Sequence, residues 1–216
     1  MTKTALIVGT GSGISAAFAR ALHRDGYRIG LAARTTDKLA GLAKETGAVL
    51  IAADATNPEA VAALFAEADR VLGPLDVVLY NASYRTRGPF LDLDPAEVKR
   101  SNEVSAYGGF LVGQQAARRM VARGQGAIFF TGASASVKGY AQSAPFAMGK
   151  FALRGLAQSM ARELQPQGIH VAHVVIDGGI RSARRVEPSD QPDSLLDPDA
   201  IAASYLHLLA QPRSAW

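Results

Sequence analysis

Thr4-Ala5-Leu6-Ile7-Val8-Gly9-Thr10-Gly11-Ser12-Gly13-Ile14-Ser15 is the stretch on which the fold turns. Its first five residues form a continuous apolar run rather than an alternating one, the pattern of a strand buried on both faces. A glycine-rich turn follows, and the apolar spacing from Ile14 to Arg24 then becomes helical. The same unit recurs along the chain. Further strand-like runs lie at 28–33, 48–52, 76–80, 127–131 and 170–176, with helical patterns at about 37–46, 58–72, 95–123, 145–165 and 197–210. Strands separated by helices of this length pair in parallel through right-handed crossovers. The expectation is an α/β chain with a doubly wound parallel sheet and helices on both faces, a three-layer αβα arrangement in a single domain spanning 1–216. Asn57-Pro58 and Asp94-Pro95 place a capping side chain before a proline in the first helical turn, and Gly26, Gly47 and Gly124 stand where helices should stop.

Composition narrows the function classes. Apolar residues at 48% and charged residues at 19% exclude a disordered or collagenous chain. With no cysteine, disulfides, thiolate metal sites and thiol nucleophiles are excluded. Four scattered histidines argue against a metal centre. The net charge of +4 comes with no basic block, which suits a small anionic ligand better than nucleic acid. No apolar run approaches ~18 residues and no signal-peptide pattern opens the chain, so a cytoplasmic protein without membrane association is expected.

The glycine turn carries the first functional signal. Backbone amides approach a pyrophosphate closely only where Cβ atoms are missing, and a helix N-terminus adds positive potential. Gly9, Gly11, Ser12, Gly13 and Ile14 sit between the first strand and the first helix, the context a dinucleotide site of Rossmann type requires. An NAD site carries an acid about 20 residues beyond the glycines, to bind the ribose 2′-hydroxyl. Here that place is Ala33, followed at once by Arg34. A missing carboxylate and a guanidinium poised for a 2′-phosphate make NADP(H) the expected cofactor in preference to NAD(H).

With these residues placed, the chain resembles the short-chain dehydrogenase/reductase family over nearly its whole length. The family's Thr-Gly-x-x-x-Gly-x-Gly appears as Val8-Gly9-Thr10-Gly11-Ser12-Gly13-Ile14-Ser15, with Val8 for the first Thr, Ser15 for the last Gly and an extra Gly11. Asp54, followed by Ala55, matches the family's adenine-contacting acid. The family's Asn-Asn-Ala-Gly is half preserved as Tyr80-Asn81-Ala82-Ser83, and the resemblance implies that Asn81 and Ala82, with Ser83 beside them, line the cofactor ribose. Asp177-Gly178 stands near the family's Pro-Gly, with Ile180 as the residue that would contact the carboxamide.

The resemblance also shows what has been lost. The family uses a Tyr as general acid/base, a Lys four residues later to lower its pKa and bind the ribose, a Ser 13 residues before the Tyr, and an Asn on the fourth helix. Lys150 matches the lysine, which puts Phe146 at the tyrosine, Ala133 at the serine and Ser105 at the asparagine. A phenyl ring donates no proton and a methyl group polarises no carbonyl oxygen. Three readings follow for this atypical member with degenerate catalytic residues. One is an NADP(H)-dependent oxidoreductase that transfers hydride to an unidentified small molecule, such as an activated double bond or an iminium, with water, Ser134 or Tyr140 supplying any proton. The second is a non-catalytic NADP(H)-binding sensor or scaffold. The third is an ordinary ketone or alcohol dehydrogenase whose catalytic residues lie elsewhere.

Other features read more plainly. His170 and His173 lie on opposite faces of a strand, poor geometry for a metal. Arg181, Arg184 and Arg185 read as a solvated loop, with contact to an anionic substrate as the alternative. Tyr84, Arg85 and Arg87 stand either at a substrate pocket or on a surface loop. The polar, proline-bearing segment 181–198 is the expected mobile loop. The resemblance implies a homodimer or homotetramer through the fourth and fifth helices, and a seventh strand for which no strand-like run stands after the last helical pattern, so either that strand is absent or this sequence stops before it.

Overall fold

The structure, a computed structural model, describes residues 2–182 and 185–216. Six strands, β1 (Thr4–Val8), β2 (Arg28–Ala33), β3 (Val49–Ala52), β4 (Val77–Tyr80), β5 (Gly126–Thr131) and β6 (Ile169–Val174), form one sheet. Their order is β3-β2-β1-β4-β5-β6, and every pair is parallel. The order reverses between β1 and β4, and ligands of such sheets bind at that crevice, beyond the C-terminal strand ends. In register, Val8 stands opposite both Ala32 and Tyr80, so the chain leaves the sheet at one level on all three strands.

Continuous apolar runs mean two buried faces, and the side chains divide accordingly. Leu6 and Val8 of β1, Val78 and Tyr80 of β4, and Ile128 and Phe130 of β5 point to one face. Ala5, Ile7, Val77, Leu79, Ala127 and Phe129 point to the other. The first face is covered by α3 (Pro58–Leu72), α5 (Gly108–Val121) and α6 (Ala144–Leu164). The second is covered by α1 (Ile14–Arg24), α2 (Ala40–Thr46) and α7 (Pro198–Leu209). Phe18 and Leu22 of α1 are fully buried, each contributing about 2–3 kcal/mol of apolar transfer free energy. Asn57 and Asp94 cap α3 and α4 (Pro95–Asn102) by accepting from the amides of Ala60 and Ala96, as their Asn-Pro and Asp-Pro pairs predict.

Several boundaries differ from expectation. A three-residue 3₁₀ turn at Asp37–Leu39 precedes α2, and β6 ends at Val174 rather than running to Ile176. The single helix expected over 95–123 is broken by a π-helical turn at Glu103–Tyr107, between α4 and α5. The cause is a side chain inserted against the helix: the Tyr80 hydroxyl donates to the Val104 carbonyl at 2.5 Å. The two ends of segment 181–198 are tied to each other and, through Leu196, to Gly179. Arg181 N donates to Leu196 O at 2.9 Å, Leu196 N donates to Gly179 O at 2.7 Å, and the Arg181 guanidinium pairs with Asp197 at 2.8 Å. Arg184 lies outside the described residues. The described residues form six strands and no seventh, and no helix among them is long and apolar enough to cross a membrane.

Candidate active site

The turn after β1 is shaped by one glycine in particular. Gly9 has φ +82°, and a Cβ there would fall 2.3 Å from the Ala82 nitrogen, so the turn is pressed against the backbone that follows β4. Gly9 N and Thr10 N both donate to Ala32 O, at 2.9 and 3.0 Å, and the Thr10 hydroxyl donates to Ile7 O. Ser15, standing where the family has a glycine, is fully buried. Its hydroxyl accepts from Asn81 Nδ2 at 2.7 Å and donates to Gly9 O at 3.3 Å, so it locks α1 to both neighbouring strand ends.

The open side of this turn fits a dinucleotide's pyrophosphate. A Cβ built on Gly11 or Gly13 meets nothing within 4 Å, so both face free space. Gly13 precedes α1 without a side-chain cap, and no acid occupies the first turn, leaving the helix N-terminal amides to an anion. A groove of about 680 Å³ runs from there over the ends of β2 and β3, lined by Gly9, Thr10, Arg34, Asp54, Ala55, Asn81 and others. Asp54 Oδ1 accepts from both the amide and the hydroxyl of Thr56, at 2.9 and 2.8 Å. Those bonds, the amide's first, hold its carboxyl below the usual range. Thr35, Lys38 and Arg100 also line the groove and were not apparent as site residues in the sequence. Lys38 lies four residues beyond Arg34, and that spacing is the one signal that points to it.

Asn81 and Ser83 also line a second cavity, of about 530 Å³, over the ends of β5 and β6. Gly11, Gly13, Ile14, Ala133, Ser134, Tyr140, Phe146, Lys150, Gly178 and Ile180 meet here, so most of the expected positions converge on one space. Ser12 and Ala82 are not among its lining residues, and Ser105 is not either. Ser105 is fully buried in the π-helical turn behind Gly149, where a Cβ would come within 2.7 Å of the Ser105 Cβ. Its hydroxyl has no hydrogen-bond partner among the described residues. Lys150 is buried and donates to Thr131 O at 2.8 Å, with the Phe146 ring centroid 5.7 Å from its Nζ. Burial pushes its ammonium down to about 8. Ser136 was missed in the sequence. Its buried hydroxyl accepts from Ala133 N at 3.1 Å and meets His173 Nε2 at 3.3 Å, fixing the turn in which Ala133 stands.

The chemistry available at this cavity is therefore a cation without a phenol at the expected place. A buried lysine, the hydroxyl of Ser134 and the exposed Tyr140 surround a space that adjoins the nucleotide groove.

Comparison with known proteins bears on the family and the fold. Residues 3–192 match the family model described as short chain dehydrogenase. An uncharacterized oxidoreductase of Staphylococcus aureus strain N315 is 29% identical over 217 residues, covering 98% of this chain and 92% of that protein. The crystal structure of a short-chain dehydrogenase from Rhodopseudomonas palustris superposes with TM-score 0.85 at 37% identity, covering 99% of this chain and 94% of the other. An actinorhodin polyketide ketoreductase variant solved with NADPH shares the fold, with TM-score 0.91 at 23% identity over 100% of this chain and 93% of its own.

Proposed function

The chain belongs to the short-chain dehydrogenase family, and from that premise we propose that it is an NADP(H)-dependent oxidoreductase working without the family's Tyr/Ser pair. The observation that carries the reading is that Asn81 and Ser83 line both cavities, which sets the groove holding Gly9, Arg34 and Asp54 beside the space that holds Gly11, Gly13 and Lys150. Gly11, Gly13 and the uncapped start of α1 would hold the pyrophosphate, and Arg34 with Lys38 would meet a 2′-phosphate. Asp54 and Ala55 would border the adenine, Asn81, Ala82, Ser83 and Lys150 the ribose, and Gly178 and Ile180 the carboxamide. When bound, the nicotinamide supplies a hydride. An iminium carbon takes that hydride with no proton demand, whereas an activated C=C requires one proton. Lys150, held at about 8, is able to release a proton near neutral pH, and Ser134, Tyr140 and water are the other donors at the wall. Ser105 would act through Gly149 on the seating of Lys150.

The affinity arm of the test is a fluorescence titration. NADPH should bind about tenfold or more tightly than NADH, and Arg34→Ala should remove that margin. Equal affinities would overturn the cofactor assignment. A screen of imines and enones followed by NADPH consumption then separates an enzyme from a non-catalytic NADP(H) sensor. The sensor reading draws support from the Lys150–Thr131 hydrogen bond, which engages the one retained catalytic cation with backbone. Self-association through α5 and α6 is part of the same proposal, supported by the exposed Tyr107, Phe110, Met148 and Phe151.

A further inference from the structure

One wall of the second cavity is cationic in a way hydride transfer does not require. Arg85, in the segment after β4, lays its guanidinium carbon 4.9 Å from the centroid of the Phe146 ring. Arg185 reaches the same cavity from the segment after β6, its Nη1 3.0 Å from where a Cβ on Gly179 would stand. Arg87 and Arg185 lie close enough to weaken Arg85's hold on its proton, after burial as the larger cause. Arg181 also lines the space, but its charge is engaged by Asp197 at 2.8 Å. Among the described residues, neither Arg85 nor Arg185 forms an ion pair with a carboxylate. Arg85, Lys150, Arg181 and Arg185 line the cavity together, and among the described residues no Asp or Glu does.

Arg85 and Arg185 are exposed at the mouth of this space, where water screens their mutual repulsion, and an anion entering between them adds the favourable Coulomb term that like charges alone lack. A guanidinium drawn over an aromatic face by the ring's quadrupole still offers its fork of N–H donors to a carboxylate or phosphate, a geometry that lysine lacks. Phe146 is thus more than a lost phenol: its ring is the platform on which Arg85 is presented.

We infer that the cavity takes a small molecule bearing a carboxylate or a phosphate, gripped by Arg85 on its Phe146 platform together with Arg185, with the uncharged remainder reaching toward Ser134 and Lys150. This rests on the reading of the cavity as the substrate site and names the class of substrate.

Isothermal titration calorimetry of the full chain, with and without saturating NADPH, tests it with benzoate, phenyl phosphate and the neutral benzamide as probes. At least one anion should bind about tenfold more tightly than benzamide, the stronger of the two deciding between carboxylate and phosphate. The margin should shrink in about 0.5 M salt and vanish in the Arg85→Gln/Arg185→Gln double variant. Phe146→Leu keeps every charge but removes the platform, and should weaken anion binding several-fold, whereas Phe146→Tyr should not. The far-ultraviolet circular dichroism spectrum and the melting temperature serve as the folding control and should match those of the unmodified protein in each variant. Benzamide binding as well as both anions, or an anion margin that survives the double variant, would overturn the inference. Since the readout is heat of binding rather than turnover, anion binding without NADPH binding would sink the cofactor assignment alone.

Discussion

The turn from β1 into α1 and the segment from β5 into α6 close over the same edge of the same sheet, yet their side chains are held differently. In the first, the Ser15 hydroxyl is fixed by hydrogen bonds to Asn81 and Gly9. In the second, the two positions expected to carry acid/base groups have no side chain able to form such bonds. Phe146 and Ala133 leave no proton donor at their positions, and the buried hydroxyl of Ser136 faces the backbone of Ala133 instead. The backbone of the turn is the more constrained of the two. A cradle for phosphate is made of backbone, whose geometry fails if one turn moves, whereas acid/base chemistry hangs on single side chains that can be exchanged without disturbing the fold.

Of the two regions, the glycine turn is the more sensitive, and most of all at Gly9. Gly9→Ala forces a Cβ onto the Ala82 backbone at positive φ, and should cost about 3 kcal/mol or more together with nucleotide binding. Thermal unfolding and NADPH titration check it, and an unshifted melting curve would mean that the turn is more pliable than its contacts imply. Next is the paired change Phe146→Tyr with Ala133→Ser. Restoring both groups beside Lys150 should raise reduction of simple ketones about 100-fold over the unmodified protein, the lower range of acid/base catalysis. No gain would mean that the cavity has been reshaped around Arg85.

The third concerns pH. Lys150 stands at about 8 folded against an ordinary 10.5. Between these values the unfolded chain binds a proton that the folded chain does not, so stability should rise with pH there. Above about pH 10 the phenols of Tyr80 and Tyr205, both raised by burial, pull the other way. The gain between about pH 8 and 10 should come to about 2 kcal/mol in urea unfolding, and Lys150→Met should flatten it. A flat curve for the unmodified protein would show the ammonium to be solvated. The smallest effect is at Ser15. Ser15→Ala leaves the Asn81 amide without its acceptor and should cost about 1–2 kcal/mol with little change in the unfolded state. A cost near zero would mean that this hydroxyl does not hold α1 to the two strand ends.

Much of the fold is legible in the order of the residues. The parallel sheet follows from unbroken apolar runs such as 4–8 and 127–131, because a strand covered on both faces has no side to spend on polar residues. The starts of α3 and α4 follow from Asn57-Pro58 and Asp94-Pro95, since capping is settled within one turn of chain. The π-helical turn at Glu103–Tyr107 is not legible there, because its cause is the hydroxyl of Tyr80, a residue on another element. Arg85 likewise reads as a loop residue along the chain, since the Phe146 ring beneath it comes from a helix 61 positions away.

The order of residues alone carries the doubly wound sheet, the glycine turn at its head, and the absence of hydroxyls from Phe146 and Ala133, all properties of neighbouring residues or of single side-chain chemistry. Packing in three dimensions is what buries Lys150 against Thr131, brings Ser15 to Asn81, and sets Arg85 and Arg185 around one cavity without a carboxylate among the described residues. Those outcomes depend on which chain segments the packed sheet brings together, and both the free energy of a charge and the partners of a hydroxyl are set by that enclosure.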